Sequence, residues 1–192
     1  MAKIGLLDPM YAKITIGTND SGAETETYGA ATVFAKAVTA TTSINTAKTK
    51  FYADDGVAEM VNEFLSGQIT FTSDDLEDSV KADIIGATVA PAGGEVTYKD
   101  TDQGSYVRFG FLVRRQKNKA VGFKAVVFTK VLFDIPADDY ETKGESIVFK
   151  GTQLTGEMMR NVDHVWKLES GWKDDEATAL AELKKLLKPG TT

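Results

Sequence analysis

The sequence predicts a mainly β, antiparallel domain, sandwich-like or barrel-like. One packed α-helix is expected over about 73–85 and a C-terminal helix over about 174–188. Three observations carry this reading. The runs Tyr106–Arg115 and Val121–Phe133 place apolar residues on both alternating sets, as strands covered on both faces do. Turn-forming clusters of Gly, Asn, Asp and Ser break up most of the other apolar runs. Only two stretches show a clear helical stripe with end signals.

Taken in order, residues 1–10 read as an N-terminal arm. Tyr11–Gly17 alternates and predicts a strand, closed by the turn-rich Gly17–Gly22. Tyr28–Val38 is a second β-type run. Thr39–Thr49 is small and polar, with Ile44 its one large apolar residue, and reads as a long exposed loop. Lys50–Ala53 is a short strand that ends at the turn Asp54-Asp55-Gly56. Val57–Thr72 mixes a helical stripe with the β-type run Ile69–Thr72, and is expected to be mostly extended.

Ser73 is a candidate N-cap, with Asp74, Asp75 and Glu77 loading the positive end of a helix dipole. Leu76, Val80 and Ile84 fall on one face, and Gly86 sits where a left-handed C-cap belongs. Glu95–Lys99 leads into a hairpin turn at Asp100–Gly104. The two-faced strands follow, joined by a turn at Gln116–Lys119. Beyond the loop Ile135–Gly144, Ser146–Met159 and Val162–Leu168 read as two more strands. The last helix has acids at its start, Leu180, Leu183 and Leu187 on one stripe, and lysines before Pro189-Gly190. The expected division is a β domain over 1–170, with the arm and the 39–49 loop, and a helical extension over 171–192.

Composition narrows the function classes. The chain has 192 residues, 42% hydrophobic and 26% charged, which suits a soluble globular domain with a sizeable core. It has no cysteine, so disulfides and thiolate metal sites are excluded. The N-terminal stretch lacks the apolar run of a secretion signal, and no membrane span is visible. Synthesis and assembly in a cytoplasm are expected, without membrane anchoring. A net charge of −6 argues against wrapping nucleic acid, where affinity comes from neutralised phosphates.

Catalytic chemistry has little support. His164 is the only histidine, and no nucleophile is marked beside it. Asp100-Thr-Asp102-Gln-Gly104 mimics the start of a calcium loop but lacks the rest of the ligand series. Four Asp-Asp pairs raise a metal site. Two of them, Asp74-Asp75 and Asp174-Asp175, are explained as helix starts. The others, Asp54-Asp55 and Asp138-Asp139, sit in turns, and adjacent strand carboxylates point to opposite faces. No catalytic, metal or cofactor site is assigned. The cluster Arg114, Arg115, Lys117 and Lys119 is either a solvated hairpin tip or a docking surface for an acidic patch on another copy.

An ordered set of segments carries a family resemblance. It runs through Phe51-Tyr-Ala-Asp-Asp-Gly56, Phe64-Leu-Ser-Gly-Gln-Ile-Thr-Phe71, Asp74-Asp75-Leu76 and Ala82-Asp-Ile-Ile-Gly86. It continues with Tyr106-Val-Arg-Phe-Gly-Phe-Leu112, Lys124-Ala-Val-Val-Phe128, Asp138-Asp139 and Thr142-Lys-Gly-Glu-Ser-Ile-Val-Phe149. Over residues 50–150 the chain resembles the major tail proteins, or tail tube proteins, of siphophages. The resemblance implies a β-sandwich related to the tube protein of type VI secretion systems. It implies hexameric rings stacked into a hollow virion tail tube that conducts DNA without binding it specifically. Tape measure, distal tail and tail terminator proteins are the implied partners besides the chain itself.

Under that resemblance the loop segment Thr41, Thr42, Ser43, Ile44, Asn45 and Thr46 is the candidate inter-ring contact. Arg114, Arg115, Lys117 and Lys119 with Asp54, Asp55, Asp138 and Asp139 are the candidate inter-subunit charges. Lumenal carboxylates would repel DNA phosphates over a Debye length of roughly 8 Å. The rival readings are a surface β-sandwich that binds glycans or protein, with Trp166 and Trp172 its candidate aromatics, and a metal-dependent hydrolase built on the Asp pairs.

Overall fold

Strand β1 (Ala2–Thr18) starts almost at the first residue and runs antiparallel to β8 (Val107–Lys117), with Ala2 opposite Gln116 and Lys13 opposite Val107. A computed structural model describes residues 2–53, 56–90, 95–117, 120–136 and 151–189. The expected N-terminal arm is therefore the first half of a strand. Proline cannot donate to a ladder, yet Pro9 lies within β1. Here it falls in a bulge, between the pairs Leu7–Leu112 and Met10–Gly110, where a proline is tolerated. Asp8 takes a left-handed φ of 46° there.

Strand β2 (Glu24–Tyr28) pairs with the end of β1, and β3 (Thr32–Val33) with its middle. The expected run Tyr28–Val38 is thus broken, and Phe34 drops between strands into the core at 1% exposure. Strand β9 (Ala120–Phe133) pairs with β8 along the hairpin that two-sided hydrophobicity predicts. Its other edge is shared by β10 (Thr152–Met159) and β11 (Lys167–Glu169). Strand β10 then pairs with β5 (Gly56–Ser73), and β5 with β4 (Ala37–Ala53). The path is β2-β1-β8-β9-β10-β5-β4. A separate small ladder joins β6 (Thr88–Val89) to β7 (Val96–Thr97). Asp100–Gly104 is consequently a turn but no hairpin, since β7 and β8 do not pair.

The large sheet curls on itself. Phe71 of β5 meets Phe109 of β8 with ring centroids 5.2 Å apart, although β9 and β10 lie between those strands. Phe34 stands at the centre of this inner core, against Tyr11, Phe71, Phe109 and Phe133. Helix α1 (Asp78–Ile85) closes one end with Val80, Ile84 and Ile85 buried. It begins later than expected. Ser73 is the last residue of β5, paired with Thr152 and buried, so it cannot serve as N-cap. Asp74 and Asp75 precede the helix, where a carboxylate oxygen of Asp74 accepts from the Lys36 N–H. The C-cap is as expected, Gly86 with a φ of 87°.

Helix α2 (Glu176–Leu187) is N-capped by Asp175, which accepts from the Thr178 N–H at 2.8 Å. It lies on the outer face of β8 and β9. Ala179, Leu183 and Leu187 bury against Leu112, Phe123, Ala125 and Val127, with Met10 and Ala12 from β1. The second apolar face of the strands is thus covered by the chain's own helix, which belongs to the core of the same domain. No helix among the described residues is long and apolar enough to cross a membrane.

Candidate functional site

The hairpin of β4 and β5 outgrows the rest of the sheet. The two strands pair from Ala37–Ser73 to Ala53–Gly56, but β10 accompanies β5 only from Ser73 back to Gly67. Beyond Gly67 each strand has only the other as partner among the described residues. That extension covers 11 residues of β5, or about 35 Å at the rise of a strand.

This overturns the reading of 39–49 as a loop. Thr41, Thr42, Ser43, Ile44, Asn45 and Thr46 pair in register with Thr70, Ile69, Gln68, Gly67, Ser66 and Phe64. Asn45 also donates to the Ser66 hydroxyl at 3.3 Å. The strand is invisible to hydrophobic alternation because most of its residues from Thr41 to Lys50 are exposed. The usable signal is its threonines, β-branched residues that favour a pleated backbone. The extended reading of Val57–Thr72 agrees with β5.

The arm carries an unusual exposed load. Met60 is 57% exposed, Val61 50%, Leu65 62% and Ile44 38%. A lone two-stranded ribbon is marginal in water, and clustered exposed apolar side chains mark interaction surfaces. At the root of the arm, Phe64 stacks flat on Trp166, with centroids 4.6 Å apart and planes 1° from parallel. The sequence gives no direct sign of that pair.

Beside the root lies a cleft of about 280 Å³. Leu6 of β1, Phe111 and Val113 of β8, and Val126 and Phe128 of β9 line it with apolar surface; Thr42 of β4 forms one wall. Lys167 and Glu169 stand at its polar side. Glu169 is held by Lys124 and by Lys167, the latter at 2.5 Å. Those hydrogen bonds bring its carboxyl down to about 2.

The basic cluster divides. Arg114 is exposed, opposite Phe123, while Arg115 lays its guanidinium 3.7 Å from the centre of the Trp172 ring. Lys117 pairs through its backbone with Ala120, and Lys119 lies outside the described residues, as do Asp54, Asp55, Asp138 and Asp139. Trp172 and Trp166 each have one ring face occupied, by Arg115 and by Phe64.

His164 does not lie in a strand. Asn161–Val165 forms a tight turn, in which Asn161 accepts from the His164 and Val165 N–H groups and His164 has a φ of 61°. The strand expected over Val162–Leu168 shrinks to β11. Among the described residues no three His, Cys, Asp or Glu side chains converge as a metal site would need. Comparison with known proteins finds no matching family model and no matching curated protein.

A polar cluster that sequence reasoning misses fixes α2. Arg108 is 4% exposed, and its Nη1 donates to the Leu186 carbonyl at 2.8 Å, at the negative end of the helix. Its guanidinium lies 3.8 Å from the centre of the Tyr28 ring. The Tyr28 hydroxyl donates to Glu26, and Lys130 reaches the same carboxylate at 3.1 Å. Burial, then the bond to Glu26, pushes the Tyr28 phenol upward.

Proposed function

We propose that the chain is a structural, non-enzymatic subunit that assembles with copies of itself into the tail tube of a siphophage. In this reading hexameric rings stack into a hollow conduit for DNA. The tube is built in the host cytoplasm and ends up in the virion tail, bounded by tape measure, distal tail and terminator proteins. The β4–β5 arm is the observation that carries the proposal. Exposed apolar residues on a ribbon with no third strand among the described residues call for a partner, and the arm occupies the place of the segment first expected to bridge rings.

A second feature supports it. The sheet ends at β4, a strand of 17 residues whose outer edge has no partner among the described residues. A long open edge invites pairing with another chain, and closure into a ring removes it. The net charge of −6 suits a conduit that must not hold its cargo. The outer face of β8 and β9 adds no support, because α2 covers it.

Negative-stain microscopy of concentrated protein tests the proposal. The full chain should give rings or tubes. A chain in which a short turn replaces residues 45–65 should stay folded and fail to polymerise. Tubes of normal length from the shortened chain would overturn the role of the arm. A monomer that binds glycans, or metal-dependent turnover lost on substitution of Asp54 and Asp55, would overturn the whole reading.

A further inference from the structure

We propose that α2 and β2 form one strap over the outer face of the sheet, fastened by the buried Arg108 cluster, and that the two elements open and close together. The inference does not depend on the assembly reading above.

The two elements come from opposite ends of the chain. Strand β2 ends the sheet path and pairs with β1 alone among the described residues. Helix α2 covers Leu112, Phe123, Ala125 and Val127 with Ala179, Leu183 and Leu187. A helix of 12 residues is marginal in water on its own, so α2 is helical because it is docked, and undocking unfolds it.

The ends of α2 are held in different ways. Just before its start, Lys173 and Phe123 exchange two backbone hydrogen bonds, at 2.7 and 2.8 Å. At its far end the fastener is the Arg108 guanidinium on the Leu186 carbonyl. The same guanidinium lies on the ring of Tyr28, the last residue of β2, whose hydroxyl donates to Glu26. The Glu26 side chain is wholly buried and meets Lys130 of β9, which is 11% exposed. Arg108 is itself buried, and its Nε has no hydrogen-bond partner among the described residues.

Such a cluster does not lose one member alone. If α2 lifts, the guanidinium gives up the Leu186 carbonyl with its Nε already unpartnered. A buried charge stripped of a partner is strongly unfavourable, so the side chain turns to water. Tyr28 then loses the cation on its ring, and β2, five residues long, keeps only its ladder to β1. Fraying of β2 acts in the other direction, by removing the ring that seats the guanidinium under Leu186. Coupling between two elements is reciprocal by linkage. Opening the strap uncovers the apolar outer face, while the inner core around Phe34 stays closed.

Native-state hydrogen exchange in low urea tests the strap. Protected amides of β2 and α2 should share one protection factor and one urea slope, both at least about tenfold and visibly below those of β9. Asp175→Ala removes the α2 N-cap at an exposed site whose side chain bonds only within the first turn of the helix. It should speed exchange in α2 and in β2 by the same factor, about fivefold. Asn19→Ala, which loosens the turn before β2, should speed α2 as well. In an Arg108→Met background Asp175→Ala should speed α2 and leave β2 unchanged. If that background does not fold, the two surface variants decide alone. Exchange in β2 that ignores Asp175→Ala would overturn the strap, since the elements then open independently. Protection and slope in both elements equal to those of β9 would overturn it too, since they then open only with the whole fold.

Discussion

The indole of Trp166 lies flat against the ring of Phe64, 4.6 Å between centroids, and so ties the root of the arm to the entrance of β11. Trp166 also accepts, through its carbonyl, from the Thr129 N–H of β9. The arm is thereby referenced to the most buried strand of the sheet. A double-mutant cycle of Phe64→Ala and Trp166→Ala should give a coupling of about 0.5–1.5 kcal/mol beyond the loss of buried area. Equilibrium urea denaturation measures it. Amide exchange along 44–50 and 60–66 should rise in either single variant, because the distal ribbon loses its brace.

Arg108 should be the most sensitive polar residue of the fold. Arg108→Ala removes the bond to the Leu186 carbonyl and the contact with Tyr28, and leaves Glu26 and Lys130 with a changed neighbour. The expected loss is about 2–4 kcal/mol, from an unsatisfied buried acceptor together with lost packing. Arg108→Lys should recover little of it, since an ammonium cannot present the planar fork that spans carbonyl and ring. Chemical denaturation monitored by α-helical circular dichroism reads both variants.

Glu169 sets an acid limb on stability. Hydrogen bonds from Lys124 and Lys167 bring its folded value to about 2, below the ordinary 4.5. A carboxyl lowered in this way contributes stability above its unfolded value, and the contribution is lost as pH falls from about 4.5 toward 2. Its side chain is 39% exposed, so solvent screening keeps the effect under about 1 kcal/mol. Glu169→Gln should therefore melt slightly below the parent at pH 7. The gap should close between pH 4.5 and 2. A gap unchanged across that window would mean that the ion pairs add nothing to the folded state.

What the sequence reveals follows from where apolar residues meet water. Leu76, Val80 and Ile84 mark α1, and Leu183 and Leu187 mark α2, because each helix presents one face to the core. The β8–β9 hairpin is equally legible, since Phe109 and Phe111 serve the inner core while Leu112 and Val127 serve the outer one. Strand β4 defeats pattern reading because it buries little on either side along the arm. The start of β1 defeats it because Asp8-Pro9 imitates a terminator inside a bulge. The candidate site inherits this blindness. Its arm is a strand without alternation, and its cleft joins residues from β1, β4, β8, β9 and β11 that only the curl of the sheet brings together.

The arm should be separable from the stability of the fold. Met60, Val61 and Leu65 are each at least half exposed, so replacing all three by Thr keeps β-propensity while removing apolar surface from water. Surface substitutions of this kind usually move stability within about 0.5 kcal/mol each. The triple variant should therefore melt near the parent and remain unassembled where the parent forms rings or tubes. Sedimentation velocity and thermal melting on the same samples make the comparison. If the variant unfolds, the three side chains support the fold itself. If it assembles like the parent, the arm joins copies by backbone pairing, and its apolar side chains are spectators.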